Sequence, residues 1–239
     1  MTTLALDLGN TALKYGVFTA AGLQENGVLT VPSELTELWQ RWQPAHAILA
    51  SVASEAEAQS WLHELRHVLT QILPLRSGFT PVPLQNAYAT PQTLGADRLA
   101  GAVGAGQLRP GQPTLIIDAG TALKFDLVAD NTYYGGSIAP GLRMRLRALH
   151  TFTGKLPLLE LPEPTALVQL IGDSTASSLL SGVLNGAAAE VNGLVAAYRQ
   201  RYPGLGLVLT GGDAPYLQPR LASALGLIFV VPELVLVGL

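Results

Sequence analysis

TLALDLGNTALKYGVF, residues 3–18, and TLIIDAGTALKFDLV, residues 114–128, are one pattern written twice. Asp7 aligns with Asp118 and Gly9 with Gly120. After a one-residue difference in the turn, Thr11-Ala12-Leu13-Lys14 returns as Thr121-Ala122-Leu123-Lys124, followed by an aromatic residue in both copies. Each copy opens on a short apolar run that stops at a glycine, the signature of a buried strand that enters a tight turn and returns as a second strand. An old duplication kept for folding accounts for the apolar positions but not for the repeated Asp, Gly, Thr and Lys. An Asp at a strand end before a glycine turn sets a carboxylate beside exposed backbone N–H groups and a hydroxyl, the groups that hold a metal–phosphate complex. Two such hairpins facing each other would grip a nucleotide's phosphates from both sides.

Outward from the first hairpin, Leu35, Leu38, Trp39 and Trp42 recur at helical spacing behind Ser33 as a cap, and residues 47–52 read as a strand. Ser54 and Glu57 form a capping-box pattern for a helix carrying Trp61, Leu62, Leu65, Val68 and Leu69; core packing accounts for all three tryptophans. Residues 76–94 read as an unusually long loop, and residues 95–108 as a helix. Pro110, Gly111 and Pro113 punctuate the chain and predict two domains, 1–112 and 113–239. In the second, strands are expected at 114–118, 123–128, 133–138, 205–210 and 228–231, with a long helix over 174–201 and a short one after Gly211-Gly212. Strands followed by alternating helices and strands, twice over, predict an α/β fold in two similar halves.

Composition narrows the chemistry. Of 239 residues 49% are hydrophobic, enough for a sizeable core, and the net charge of −3 carries no polyanion-binding footprint. The one dense basic cluster, Arg143, Arg145 and Arg147, reads as a solvated helix edge. With no cysteine, disulfides, iron–sulfur ligation and thiolate zinc are excluded. His63 and His67 stand one helical turn apart, a spacing commoner on exposed helix faces than in metal sites. Residues 4–7 follow the start without a basic leader, and the apolar C-terminal stretch is broken by Pro232 and Glu233, so a cytoplasmic protein with neither membrane nor nucleic acid as partner is expected. No G-x-x-x-x-G-K-[ST], no G-x-G-x-x-G after a strand and no G-x-S-x-G is present, which leaves the paired hairpins to carry a nucleotide.

Those hairpins resemble the phosphate loops of the actin, Hsp70 and sugar-kinase superfamily. The resemblance implies two similar ribonuclease-H-like domains, an actin-like ATPase fold, with an ATP cleft between them. Residues 209–214, LTGGDA, resemble the third glycine-rich turn of that fold, which approaches the adenosine. Within the superfamily the chain resembles the type III pantothenate kinases over nearly its whole length. The motifs are Asp7-Leu8-Gly9-Asn10-Thr11 with Lys14; Tyr88 with Pro91 and Leu94-Gly95-Ala96-Asp97-Arg98; Asp118-Ala119-Gly120-Thr121-Ala122; Gly135-Gly136-Ser137-Ile138-Ala139-Pro140-Gly141; and Gly172-Asp173-Ser174-Thr175.

The resemblance implies phosphorylation of pantothenate to 4′-phosphopantothenate, the first step of coenzyme A biosynthesis, with ATP and Mg²⁺. By it, Asp97 is the general base, and Tyr88, Gly95, Ala96, Asp97, Arg98 and Thr175 hold pantothenate. Asp7, Leu8, Gly9, Asn10, Thr11, Ala12, Leu13, Lys14 and Thr121 contact ATP; Asp118 binds a monovalent cation, K⁺ or NH₄⁺; and the enzyme is a homodimer. A carboxylate can take the hydroxyl proton in phosphoryl transfer, and an arginine beside it can pair with the carboxylate of pantothenate. Gly135 to Gly141 can equally be structural, shaping a strand exit, and Thr175 can be a helix-terminal hydroxyl. Competing readings are a non-catalytic or regulatory relative of the same fold, and a kinase of another small molecule. The chain departs from the family at Lys124, where a D-x-G-T-A-x-T pattern places Thr. As the counterpart of Lys14 it points either to Asp118 or the phosphates, where its charge could replace some or all of the monovalent cation, or to solvent, since strand alternation allows both.

Overall fold

Both apolar runs of the repeat are interior strands of a sheet in the computed structural model, which describes residues 1–9, 12–53, 55–68 and 71–239, with 55–58, 64, 67, 68 and 224 described by backbone alone. In chain order the elements are β1 (Thr3–Leu8), β2 (Leu13–Thr19), β3 (Gly22–Leu29), α1 (Glu34–Trp42), β4 (His46–Ser51), α2 (Glu55–Val68), β5 (Ile72–Pro74), β6 (Gln85–Asn86) and α3 (Ala96–Leu108). There follow β7 (Thr114–Ala119), β8 (Ala122–Ala129), β9 (Thr132–Pro140), α4 (Leu142–Thr151), α5 (Thr175–Arg201), β10 (Gly206–Thr210), α6 (Ala214–Leu217), β11 (Ile228–Val230) and α7 (Leu234–Gly238). The chain divides into one unit of Met1–Pro110, Asn131–Tyr133 and Glu233–Leu239, and a second of Gly111–Asp130 and Tyr134–Pro232.

In the first unit the strand order is β3-β2-β1-β4-β5. β1 to β3 form an antiparallel meander, and β4 and β5 join in parallel after the helical crossovers that parallel pairing demands. Alternation along β1 sends Leu4, Leu6 and Leu8 to the core shared with Leu35 and Leu38 of α1 and Trp61 and Leu65 of α2. Trp39 and Trp42 pack against the same core, as expected. Ser33 makes no side-chain cap; the first N–H groups of α1, those of Glu34, Leu35 and Thr36, donate instead to the carbonyls of Val31, Pro32 and Ser33, and Glu34 Oε2 ties down the preceding segment by accepting from the backbone N–H of Thr30 at 2.7 Å and of Val31 at 3.2 Å. Ser54 and Leu69 lie outside the described residues, as does the side chain of Glu57.

The other face of β1 and β2 is lined by small residues, since Ala5 pairs with Gly16, and there α7 sits, with Leu236 Cβ 3.5 Å from where a Gly16 Cβ would be. α7 also packs on the Ala/Gly-rich α3. A Cβ on Gly104 would fall 2.6 Å from the carbonyl oxygen of Leu234, and one on Gly238 1.8 Å from that of Ala100, so these glycines let two backbones touch. The units therefore differ from a single cut after residue 112. Residues 233–239 return to the first unit, and so do Asn131–Tyr133, which carry β6 in parallel pairing. The long loop read over 76–94 is thereby held by β6 and by a 3₁₀ turn at Pro91–Thr93.

In the second unit the strand order is β11-β10-β7-β8-β9. Leu115 and Ile117 of β7 and Leu123, Phe125 and Leu127 of β8 share one core with Leu142 and Leu146 of α4 and with a stripe on α5, Leu179, Val183, Leu184, Ala187, Val191 and Val195. α5 is long and apolar enough to cross a membrane by length and composition, but this stripe is spent on the core. It begins at a capping box in which Ser174 Oγ accepts from Ser177 N–H and Ser177 Oγ accepts from Ser174 N–H.

Candidate active site

In the first unit, Asp7 at the end of β1 stands directly opposite Lys14 on β2. The N–H of Gly9 donates to the carbonyl of Ala12 at 3.1 Å; Asn10 and Thr11 lie outside the described residues. Asp7 is half-buried, Lys14 exposed, and Leu8 and Leu13 are core residues. Leu8 and Leu13 can thus meet a nucleotide only through their backbone. The carbonyl of Leu8 accepts from Val52 N–H at 3.0 Å, which brings the end of β4 alongside. Gly95 lies against that end: a Cβ there would stand 3.6 Å from Val52 Cγ1 and 2.5 Å from Asp97 Oδ1. The carboxylate of Asp97 therefore folds over Gly95 in the first turn of α3, where the helix dipole favours negative charge. Val52 thus adjoins both Leu8 of the Asp7 hairpin and Gly95 beneath Asp97, at the C-terminal ends of the parallel strands β1 and β4, the edge at which open α/β sheets bind ligands.

Arg98 turns inward. It is 8% exposed, with its guanidinium carbon 5.7 Å from the ring centroid of Tyr88. The Tyr88 ring is in turn 6.1 Å from that of Tyr133. Tyr88 N–H donates to Asn86 Oδ1 at 3.0 Å and Ala87 N–H to the carbonyl of Tyr133 at 2.9 Å, so the loop that delivers Tyr88 is bonded in place. Ala96 is buried and offers backbone only.

In the second unit the repeated turn recurs one residue shorter, Gly120 N–H donating to the carbonyl of Ala122 at 3.1 Å, with Thr121 exposed. Asp118 lies between Lys124 on β8 and Thr210 on β10 in register. Its Oδ2 is 2.8 Å from Lys124 Nζ, and the two side chains are 18% and 16% exposed. Its Oδ1 is hemmed by two glycines: a Cβ on Gly211 would come within 2.5 Å of it, and one on Gly120 within 3.2 Å. Gly211, at φ +92°, turns the chain so that Asp213 N–H donates to the carbonyl of Ala119 at 2.7 Å. The turn over residues 209–214 is thus bonded to the end of β7. Two glycines of the Gly135–Gly141 motif are tight contacts. A Cβ on Gly136 would lie 1.7 Å from the carbonyl oxygen of Phe125, and one on Gly141 2.4 Å from those of Gly120 and Thr121, so Gly141 clamps the start of α4 to the turn.

The arginine cluster is no plain solvated edge. Arg143 pairs with the buried Asp213 and lies over the Tyr216 ring, and Arg145 pairs with Glu190 at 2.5 Å; Arg143 and Arg147 are exposed and Arg145 is half-buried, so the edge is solvated but two of its three charges are paired. Burial raises the Asp213 carboxyl above its ordinary value, against the opposing pull of Arg143. Asp213 and Arg143 escaped the sequence reading as site residues, although Asp213 follows the quoted Gly211-Gly212. Thr175 is not the cap of α5, a role Ser174 takes. It lines an open cavity of about 800 Å³ with Asp173, Ser174 and Ser178 on one side and Leu149, Leu156 and Leu179 on the other; Asp118 and Thr121 do not line it.

Two ions can be tested against these donors. Mg²⁺ is held by one or two carboxylates together with phosphate oxygens and water, and Asp7, at a strand end beside a glycine turn, is a donor of that kind. A monovalent cation at Asp118 fits poorly, because a fixed ammonium already sits on Oδ2. A second unit charge about 4 Å from that ammonium would be repelled by roughly 4 kcal/mol at an effective dielectric of 20. Among the described residues no group of three or more His, Asp or Glu could hold a metal ion by itself.

The architecture has relatives among solved structures. A Campylobacter jejuni protein described as a Baf family transcriptional activator superposes with a TM-score of 0.61 at 18% identity, covering 98% of this chain and 94% of that one. A Sinorhizobium meliloti protein described as a 2-dehydro-3-deoxygalactonokinase gives 0.60 at 17% identity, covering 99% and 96%. At such identities the fold alone is shared, and it is the α/β fold of actin-like ATPases and sugar kinases that the resemblance of the hairpins implied. The family model described as type III pantothenate kinase matches residues 3–197. A type III pantothenate kinase of Phocaeicola vulgatus is 39% identical over 239 residues, 99% of this chain and 95% of the relative. The chain belongs to the type III pantothenate kinase family.

Proposed function

We infer that the chain transfers the γ-phosphoryl group of ATP to the primary hydroxyl of pantothenate, giving 4′-phosphopantothenate and ADP at the first step of coenzyme A biosynthesis. The observation that carries this is Asp97 folded over Gly95 beside the Asp7 hairpin, in a chain of this family. The hydroxyl oxygen forms the new P–O bond as the bond to the ADP oxygen breaks, and the hydroxyl proton passes to the Asp97 carboxylate. Catalysis of this kind is mostly positioning and charge neutralisation. Asp7, Gly9, the backbone of Leu8, Ala12 and Leu13, and the exposed Lys14 hold the phosphates from the first hairpin, together with Asn10 and Thr11; Thr121 does so from the second. Asp7 would be the protein-side donor to a Mg²⁺ carried in with the nucleotide, which would supply neutralisation of the charge on the phosphoryl oxygens.

Pantothenate is held by Tyr88, Gly95, Ala96, Arg98 and Thr175. Arg98 serves both as the support of the Tyr88 ring and as the positive charge for the pantothenate carboxylate. The enzyme acts as a cytoplasmic homodimer. The second reading, a regulatory relative, is favoured by the description of the Campylobacter jejuni neighbour, which shares the fold.

A coupled ADP-release assay with pantothenate, acetate and hexoses separates the readings, with the product mass checked for one added phosphoryl group. Turnover of pantothenate alone is expected. Turnover of a hexose without pantothenate, or of none of the three, would overturn the assignment.

A further inference from the structure

In both hairpins the register sets the strand-end Asp directly across from the repeated Lys, Asp7 from Lys14 and Asp118 from Lys124, and directly opposed unlike charges attract across a sheet. The environments of the two pairs differ. Lys14 is exposed, whereas the Lys124 ammonium is withdrawn from water and 2.8 Å from Asp118 Oδ2. Each hairpin has a parallel neighbour strand, β4 beside β1 and β10 beside β7, and the added constraint in the second unit comes from the turn after β10, which brings Gly211 hard against Oδ1. One carboxylate oxygen is therefore enclosed by glycine backbone and the other is taken by a charge on the protein itself.

We propose that the ammonium of Lys124 is a tethered monovalent cation that neutralises Asp118 in place of K⁺ or NH₄⁺, leaving the enzyme independent of added monovalent cations. An ammonium group carries the charge of such an ion, and Asp118 Oδ2 accepts from it. It keeps a half-buried carboxylate from repelling a polyphosphate held at the adjoining Gly120–Thr121 turn. Lys124 is a positioning residue on this account, acting through Asp118. The inference rests on the nucleotide-binding part of the proposed function, not on the identity of the phosphoryl acceptor.

The test is calorimetric binding of a non-hydrolysable ATP analogue with Mg²⁺ to the full chain, in choline, sodium, potassium and ammonium buffers of equal ionic strength. For the wild type, affinities within about twofold across the four buffers are expected, since the charge is already in place. Lys124→Thr is expected to lose about tenfold or more in choline, with recovery in potassium or ammonium, because the freed carboxylate can then recruit an ion. A merely structural lysine would not be rescued by a dissolved cation. Potassium dependence of about tenfold in the wild type would overturn the proposal whether or not the variant folds, and so would Lys124→Thr binding in choline as tightly as the wild type. If Lys124→Thr does not fold, Lys124→Gln takes its place with the same expectations. A cation-independent enzyme that binds nucleotide but leaves pantothenate untouched would overturn the acceptor and leave this inference standing.

Discussion

At the scale of single residues, function turns on side chains whose freedom has been removed. Asp97 is bent back over Gly95, so its carboxylate is aimed before any substrate arrives. Asp97→Asn keeps the shape and removes the proton acceptor. Turnover should fall by about two to four orders of magnitude, the usual contribution of a positioned base, while the affinity for ATP analogue and the thermal midpoint stay near wild type. Steady-state kinetics with calorimetry and thermal melts check this, and wild-type turnover would remove Asp97 from the role. The family resemblance of the residue 94–98 motif proposed Asp97. It could not show that Arg98 next to it is buried under Tyr88, because a helix's first turn points its side chains in several directions and only the loop carrying Tyr88 decides which one is covered.

At the scale of elements, stability is concentrated where strands and helices are tied together. Glu25 on β3 accepts hydrogen bonds from Trp42 Nε1 and the Tyr15 hydroxyl, each at 2.8 Å, and from Arg41. The Trp42 bond first, then that of Tyr15, with help from Arg41, hold its carboxyl below the ordinary value of 4.5. A lowered folded value means that the stabilisation is fully present above the unfolded value and is lost as pH falls through the folded one. The wild-type melting temperature should therefore drop more steeply than that of Glu25→Gln between roughly pH 5 and 3; parallel curves would show that the cluster contributes nothing through this carboxylate. α7 is the second such tie. Leu234 is fully buried among small residues of α3, and Leu234→Ala should cost about 2–5 kcal/mol, the range for deleting a buried leucine side chain, read as a lowered denaturant midpoint. No change in midpoint would mean that α7 is dispensable to the first unit.

At the scale of the whole molecule, the expected homodimer is checked by light scattering, where a species of twice 25.1 kDa should dominate at assay concentration. The exposed apolar side chains of the segment before α5, Leu167, Leu170 and Ile171, are the kind of surface that association covers. A monomer at that concentration would contradict it. Charge substitutions at Leu170 and Ile171 should shift a dimer toward monomer while leaving the far-ultraviolet dichroism unchanged.

The sequence by itself determined the duplicated strand–turn–strand, the two-unit α/β order and the identity of the acids at the strand ends. These are encoded in residues close together in the chain, where apolar runs, glycine turns and helical spacing act over a few positions. Tertiary structure alone decided where each side chain's partner comes from. Asp213 meets Arg143 across 70 positions, and residues 233–239 leave the second half of the chain to pack on α3 because Gly104 and Gly238 permit backbone contact. Strand alternation limited Lys124 to one of two faces and could not choose between them. The choice followed from packing: Leu123 and Phe125 are drawn to the core under α4 and α5, and that leaves Lys124 on the face of Asp118.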